Sequence, residues 1–304
     1  MADFTNDFSW SVSRQGKFDE CRRAYYWHYY GSWGGWDRDA GAEVRRAWML
    51  KRMSNLDMWG GSVVHEVVER ALHDLRWGRT NTIEELHRRG REQMVRSWRQ
   101  SLGREWEFDP KHRLNLFEHY YTDKTVDRRS VTIRDRVNTC LENFRRSPSY
   151  EALQSLQKAD WLAVEELDRL ELDGFPVWVK IDCAFRRGEE VVIIDWKTGK
   201  PREGDREQLT AYALYATTAW ENVGPEDILL RAAYLQTGEE VDYTVSQDDL
   251  EDLKERIRGN AAEMRALLAD ADANTAELDA FPMVEDQRRC KRCSFRELCG
   301  FGSL

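Results

Sequence analysis

The sequence predicts an α/β fold, a mixed central sheet flanked by helices, on three observations. Two apolar, β-branched runs, Val177-Trp-Val-Lys-Ile-Asp182 and Val191-Val-Ile-Ile-Asp195-Trp-Lys197, flank Arg186-Arg-Gly-Glu-Glu190 and read as a β-hairpin. A second pair of runs, Ile228 to Thr237 and Glu240 to Val245, reads as a further hairpin. Around them lie segments with a helical rather than a strand period, the clearest being Glu207-Gln-Leu-Thr-Ala-Tyr212-Ala-Leu-Tyr-Ala216.

The elements follow in chain order. A helix is expected from about Arg14, with an aromatic face running through Tyr25, Trp27, Tyr29 and Tyr30. Such aromatics can stack on unpaired bases, but at helical spacing they more often build a core. Gly31 to Gly41 reads as a loop. Gly60-Gly-Ser62 is expected to open a helix whose apolar stripe is Val63, Val64, Val67, Val68, Ala71, Leu72 and Leu75. Residues 80–160 read as mostly helical, with loops near Gly103–Pro110 and Ser147–Ser149. Trp161 to Leu172, with Val164-Glu-Glu-Leu167 inside it, is a strand leading into the first hairpin. Asp248 to Ala269 is an amphipathic, charged helix, and a polar linker then reaches the last cysteines. The organisation so read is an N-terminal helical segment (1–60), a motif helix with a helical insert (61–160), a sheet core (161–245) and a C-terminal helix with cysteines (246–304).

The hairpin carries chemistry. A turn centred on Gly188 and Glu189 sets Asp182 opposite Asp195. Strand alternation puts Asp195 and Lys197 on one face and Ile194 and Trp196 on the other. Asp-x-Lys at a strand end is often only a solvated edge. A second aspartate in register makes it the outline of a divalent-metal hydrolase, with carboxylates holding Mg²⁺ or Mn²⁺ and the lysine orienting water or stabilising phosphate charge. His65 and Glu69 share a helix face, but His65-Glu-Val-Val-Glu69 lacks the second histidine of the zinc-protease motif. His65 is thus either a further ligand or a structural histidine. Gln208 and Tyr212, four residues apart, also share a face.

Of six cysteines, Cys21 and Cys290-Lys-Arg-Cys293-Ser-Phe-Arg-Glu-Leu-Cys299 form a pattern. The two-residue gap lets Cys290 and Cys293 reach one centre. Four thiolates suit either tetrahedral zinc or a [4Fe–4S] cluster, and either would staple the two chain ends together. Cys140 and Cys183 read as ordinary buried cysteines.

No segment approaches the ~20 apolar residues that span a bilayer, and the first residues lack the layout of a signal peptide. A soluble, cytoplasmic protein is expected. Net charge is −9, unevenly placed. Residues 76–146 hold 17 Lys/Arg against 11 Asp/Glu, whereas residues 221–289 hold 7 against 18. The basic middle fits local phosphate binding, and Arg88, Arg89, Arg91, Arg96 and Arg99 are its densest cluster. The alternative is a solvated, salt-bridged helical face.

In this order the pieces resemble the PD-(D/E)xK nuclease superfamily, specifically its RecB-like branch with an iron–sulfur cluster, which includes AddB-type repair nucleases and CRISPR-associated iron–sulfur exonucleases. The matching residues are Cys21, Gly61-Ser-Val-Val-His65-Glu, Asp182, Asp195-Trp-Lys197-Thr-Gly-Lys200, Gln208-x-x-x-Tyr212 and Cys290-x2-Cys293-x5-Cys299, spanning nearly the whole chain. The resemblance implies a restriction-endonuclease-like core with a helical insert, and a metal site of His65, Asp182, Asp195 and the Trp196 carbonyl. Lys197 would assist catalysis, with Gln208 and Tyr212 positioning the lysine or the scissile strand. Glu165 or Glu166 would add a carboxylate. It further implies a [4Fe–4S] cluster on Cys21, Cys290, Cys293 and Cys299. The implied activity is a Mg²⁺/Mn²⁺-dependent deoxyribonuclease acting on single-stranded DNA or DNA ends, leaving 5′-phosphate and 3′-hydroxyl, with a helicase or CRISPR integration protein as a possible partner. Ile181 replaces the proline of the family's name, and the segment between His65 and Asp182 is longer than minimal nucleases need. The rival reading is a non-catalytic DNA-binding or assembly module. The intact His65/Asp182/Asp195/Lys197 set argues against it.

Overall fold

The computed structural model describes residues 5–301. The reading of the amino terminus as lacking a leader rests partly on residues 1–4, which lie outside the described residues. In chain order the helices and strands are α1 (Val12–Glu20), α2 (Arg22–Tyr26), α3 (Ala42–Lys51), β1 (Met53–Ser54), α4 (Leu56–Arg76), α5 (Ile83–Leu102), β2 (Asn115–Leu116), α6 (Phe117–Tyr120), α7 (Val126–Arg146), α8 (Pro148–Gln154), β3 (Trp161–Leu172), β4 (Phe175–Arg187), β5 (Glu190–Lys197), α9 (Asp205–Ala219), β6 (Ile228–Tyr234), β7 (Glu239–Tyr243) and α10 (Gln247–Ala266).

The five long strands form one mixed sheet in the order β3-β4-β5-β6-β7. All pairs are antiparallel except β5–β6, because α9 crosses over between those two strands. Each face of the sheet is covered, which explains why β5 is apolar almost throughout. Leu209, Leu214, Leu250, Leu253 and Ile257 of α9 and α10 pack on one face with Ile193 and Leu230. Val64, Val68 and Leu72 of α4, with Val137 and Phe144 of α7, pack on the other against Val192, Ile194 and Trp196. The α/β expectation holds, and the hairpin turn is the two-residue link Gly188–Glu189 between the Arg187–Glu190 pair.

Strict alternation fails at the start of β3, where pairing shifts between Trp161 and Ala163, and again around Glu165. In β4, Val177, Val179, Ile181 and Ala184 face α9 and α10, yet Cys183 and Phe185 face α4 and α7. In β3, Ala163, Leu170 and Leu172 share the first face while Val164 takes the second. Both strands slip by one residue around Glu165, a non-glycine residue with φ 51°. Pairing is nonetheless kept, with Val164 opposite Cys183 and Glu166 opposite Ile181.

Three boundaries differ from expectation. The motif helix begins at Leu56, capped by Asn55, whose side chain accepts from the Met58 amide, so Gly60 and Gly61 lie inside it. Their role is close packing: a Cβ on Gly60 would stand 2.6 Å from Ile133 Cγ2 of α7. Ser147–Ser149 is not a loop, because Ser147 caps α8 and Pro148 occupies its first turn, where a missing N–H does no harm. The aromatic N-terminal helix is broken at Cys21 into α1 and α2, followed by a wide π-type turn over Trp27–Gly31. Tyr25 and Trp27 are buried, which favours the core reading over base stacking there.

The chain ends meet. Trp27, Leu50 and Met53 share a cluster with Phe295, Arg46 pairs with Glu297, and Arg23 Nε donates to the Phe281 carbonyl at 2.6 Å. Among the described residues no helix is long and apolar enough to cross a membrane.

Candidate active site

The site lies where β4 and β5 emerge between the two helical layers, and each layer contributes. From α4 comes His65. Gly61, one turn earlier, has no side chain, and a Cβ there would reach 3.0 Å from Thr198 Oγ1, so the helix can lie close to the chain leaving β5. His65 Nδ1 is 3.2 Å from Glu165 Oε1 and 3.7 Å from Asp182 Oδ2. One ligand atom from each of His65, Glu165 and Asp182 lies within 4.8 Å of the others. Asp182 is fixed by the Trp196 amide, which donates to its Oδ2 at 2.9 Å.

From the other layer α9 supplies Gln208 and Tyr212. Lys197 Nζ donates to Gln208 Oε1 at 2.6 Å, Gln208 Nε2 donates to Tyr212 Oη at 2.6 Å, and Tyr212 donates to Asp195 Oδ1 at 3.3 Å. The ring closes where Lys197 Nζ stands 2.6 Å from Asp195 Oδ2. That last contact is a close ion pair. Glu165 Oε2 makes another, 2.6 Å from Lys180 Nζ. Asp205 backs the lysine at 3.5 Å and is held by the Tyr234 hydroxyl at 3.0 Å.

The electrostatics follow from crowding. Burial, then the neighbouring Asp195, pushes the Asp182 carboxyl up to about 7. Burial alone would lower His65, but Asp182 and Glu165 outweigh it and raise the imidazole to about 9. Burial and Asp195 raise the Tyr212 phenol, which stays a donor. Three carboxylates and a cationic imidazole therefore compete for one small space.

A cleft of about 920 Å³ opens over this centre, lined by His65, Glu165, Asp182, Gln208 and Tyr212. Asp195 and Lys197 lie beneath its surface. The structure gathers His65, Asp182, Asp195, Lys197, Gln208 and Tyr212, and Trp196 adds its amide. Of the two glutamates left open, Glu165 faces His65 and Glu166 is exposed. Sequence reasoning missed Lys180 and Asp205. Lys180 was findable two residues before Asp182 on the same strand; Asp205 had no local signal.

The cysteines also converge. Cys21, Cys290 and Cys293 line a cavity of about 280 Å³ with Lys17, Lys51, Arg289 and Arg292. Burial raises the Cys293 thiol to about 11, with Cys299 and Cys21 adding to the rise. Burial, then Cys21, raises Cys290. Cys140 and Cys183 are fully buried in the core, as expected.

Of the arginine cluster, Arg89 is spent on Asp74 at 2.7 Å, Arg88 on Glu92 at 3.0 Å, and Arg96 on Gln93. Arg88 and Arg89 follow the salt-bridged reading, whereas the Gln93 partner of Arg96 carries no charge. Among the described residues Arg91 and Arg99 have no such partner, and both are exposed.

A mixed sheet with paired carboxylates, an imidazole and a strand-borne lysine at its opening is an arrangement that can hold a divalent cation. The family model of the PD-(D/E)XK nuclease superfamily matches residues 9–300, and the chain belongs to that superfamily. Its members are generally nucleases that use divalent metals, and the His65/Glu165/Asp182 group is one that can bind such an ion. No curated protein matches the sequence.

Proposed function

We propose that the chain is a Mg²⁺- or Mn²⁺-dependent deoxyribonuclease acting on single-stranded DNA or DNA ends, in repair, recombination or CRISPR-type processing. One observation carries the reading: His65, Glu165 and Asp182 bring ligand atoms within 4.8 Å of one another, with buried Asp195 beside them. Gathering carboxylates so closely is costly unless a cation joins them. A hard divalent cation takes oxygen ligands, and His65, Asp182, Asp195 and the Trp196 carbonyl would hold it, with Glu165 as an added carboxylate. When bound it would supply Lewis-acid polarisation of the phosphate and a more acidic water.

The remaining work falls to the chain. Lys197, shared between Asp195 and Gln208, would place its ammonium where phosphate charge builds up. Tyr212 fixes the rotamer of Asp195, and the Trp196 amide fixes that of Asp182. Lys180 offsets the charge of Glu165.

Three of the four cysteines line one cavity with Lys17, Lys51, Arg289 and Arg292, which supports a thiolate-bound, anionic group, and the reading is a [4Fe–4S] cluster. Cys21, Cys290, Cys293 and Cys299 would hold it, and its role would be to fasten the chain ends. The test of substrate and cofactor is one preparation: anaerobically purified protein, assayed on end-labelled single- and double-stranded DNA with Mn²⁺ or Mg²⁺. Cleavage of single strands or ends, by brown protein with iron and sulfide in equal amounts, is expected. Colourless protein with stoichiometric zinc would overturn the cluster; absence of cleavage with either metal would overturn the nuclease.

A further inference from the structure

We propose that the groove between α5 and α7 binds an unpaired DNA strand beside the metal cleft, an inference that rests on the nuclease reading above. The groove holds about 650 Å³, with Trp98, Val95 and Val131 on its floor and Arg91, Arg99 and Arg134 on its walls. Val95 and Val131 are 43% and 46% exposed, an apolar floor left open to solvent. Only one carboxylate lines it, Asp135, already paired with Arg134 at 2.9 Å.

Arg91 and Arg99 line the groove without a carboxylate partner among the described residues. Most other arginines on these helices are neutralised locally. In a chain of net charge −9, two unpartnered guanidinium groups bordering an apolar floor match a ligand with anionic backbone and flat apolar faces. A single strand has that chemistry: phosphates for the arginines, bases for the floor.

Position supports the same occupant. Trp59 lines the groove, and Gly61, Ser62 and His65 of the same helix line the cleft. Six residues of helix separate Trp59 from His65, about 9 Å at 1.5 Å per residue. On α7, Arg134 belongs to the groove and Arg136 to the cleft. Arg136 pairs with Asp57 at 2.8 Å and lines the cleft. The helical insert, unexplained by the hydrolytic site itself, thereby gains a role.

The probe is a fluorescein-labelled 20-mer of oligothymidylate, titrated with full-length protein in chelator without divalent metal, across a range of salt. Arg91→Gln/Arg99→Gln should make the dependence of log affinity on log salt shallower by about 1.4, two contacts at ~0.7 each on single strands. Arg88→Gln/Arg96→Gln removes the same charge from the same helix and should leave the slope unchanged. Val131→Glu, at an exposed position that cannot disturb the core, should also weaken binding. Equal slopes for both double variants, or a wild-type protein that ignores the oligonucleotide, would overturn the groove, and equal slopes would leave its apolar floor to a protein partner. Cleavage with Mn²⁺ is scored separately: wild-type protein that binds but never cuts counts against the nuclease, not the groove.

Discussion

Glu165 holds a left-handed backbone inside a strand, with φ 51°, which costs a non-glycine residue about 1–2 kcal/mol. Its carboxylate touches His65 and Lys180, and the strain sits where the proposed metal would be. Asparagine tolerates that backbone better and removes one of three crowded carboxylates. Glu165→Asn should therefore bind Mn²⁺ more weakly, checked by calorimetry. An unchanged Mn²⁺ affinity would remove Glu165 from the metal site. Asp182 and Lys197 should separate by function. Asp182→Ala should lose both metal binding and cleavage. Lys197→Ala should keep metal binding and lose ~10²–10³ in rate, the usual scale for a group that stabilises developing charge.

At the scale of elements, glycines report packing that composition alone misreads. Gly60 reads as a helix start, yet it lies one turn into α4 because α7 crosses there at a distance that a Cβ would violate. Gly60→Ala gains about 1 kcal/mol of helix propensity but overpacks against Ile133, a penalty of roughly 1–3 kcal/mol, so net destabilisation is expected. Gly16→Ala in α1, with open space around the new methyl, should instead stabilise by roughly 0.5–1 kcal/mol. Urea denaturation of the two variants checks the opposite signs. The first hairpin was legible because a two-residue turn fixes its register, which sets Asp182 opposite Asp195. The Gln208–Tyr212 pair was legible from helical spacing. The alternation slip at Glu165 was not: a left-handed residue in a strand has no sequence signature when it is neither glycine nor asparagine. The sorting of the arginine cluster was equally hidden, since Arg89 is neutralised by Asp74 of a different helix.

Across the whole molecule, two layers and two chain ends must hold their positions for the site to form. His65 reaches the centre from one helical layer and Gln208 with Tyr212 from the other, so the sheet between them sets the geometry. The ends meet through Arg46–Glu297, Phe295 and the cysteine cavity, far from the carboxylates in sequence. Cys293→Ala should thus lower the yield of folded protein and bleach absorbance near ~400 nm more than it slows cleavage by the folded fraction. Loss of rate with full yield and colour would place the cysteines in the chemistry instead.

The most direct test of the central claim is single-turnover cleavage of end-labelled single-stranded DNA in Mn²⁺, comparing wild type with Asp195→Ala, each shown folded by circular dichroism. The wild type should cut in Mn²⁺ and stop in chelator, while Asp195→Ala should be slower by at least ~10²–10³. An Asp195→Ala protein that cuts at the wild-type rate would contradict the assignment of the site.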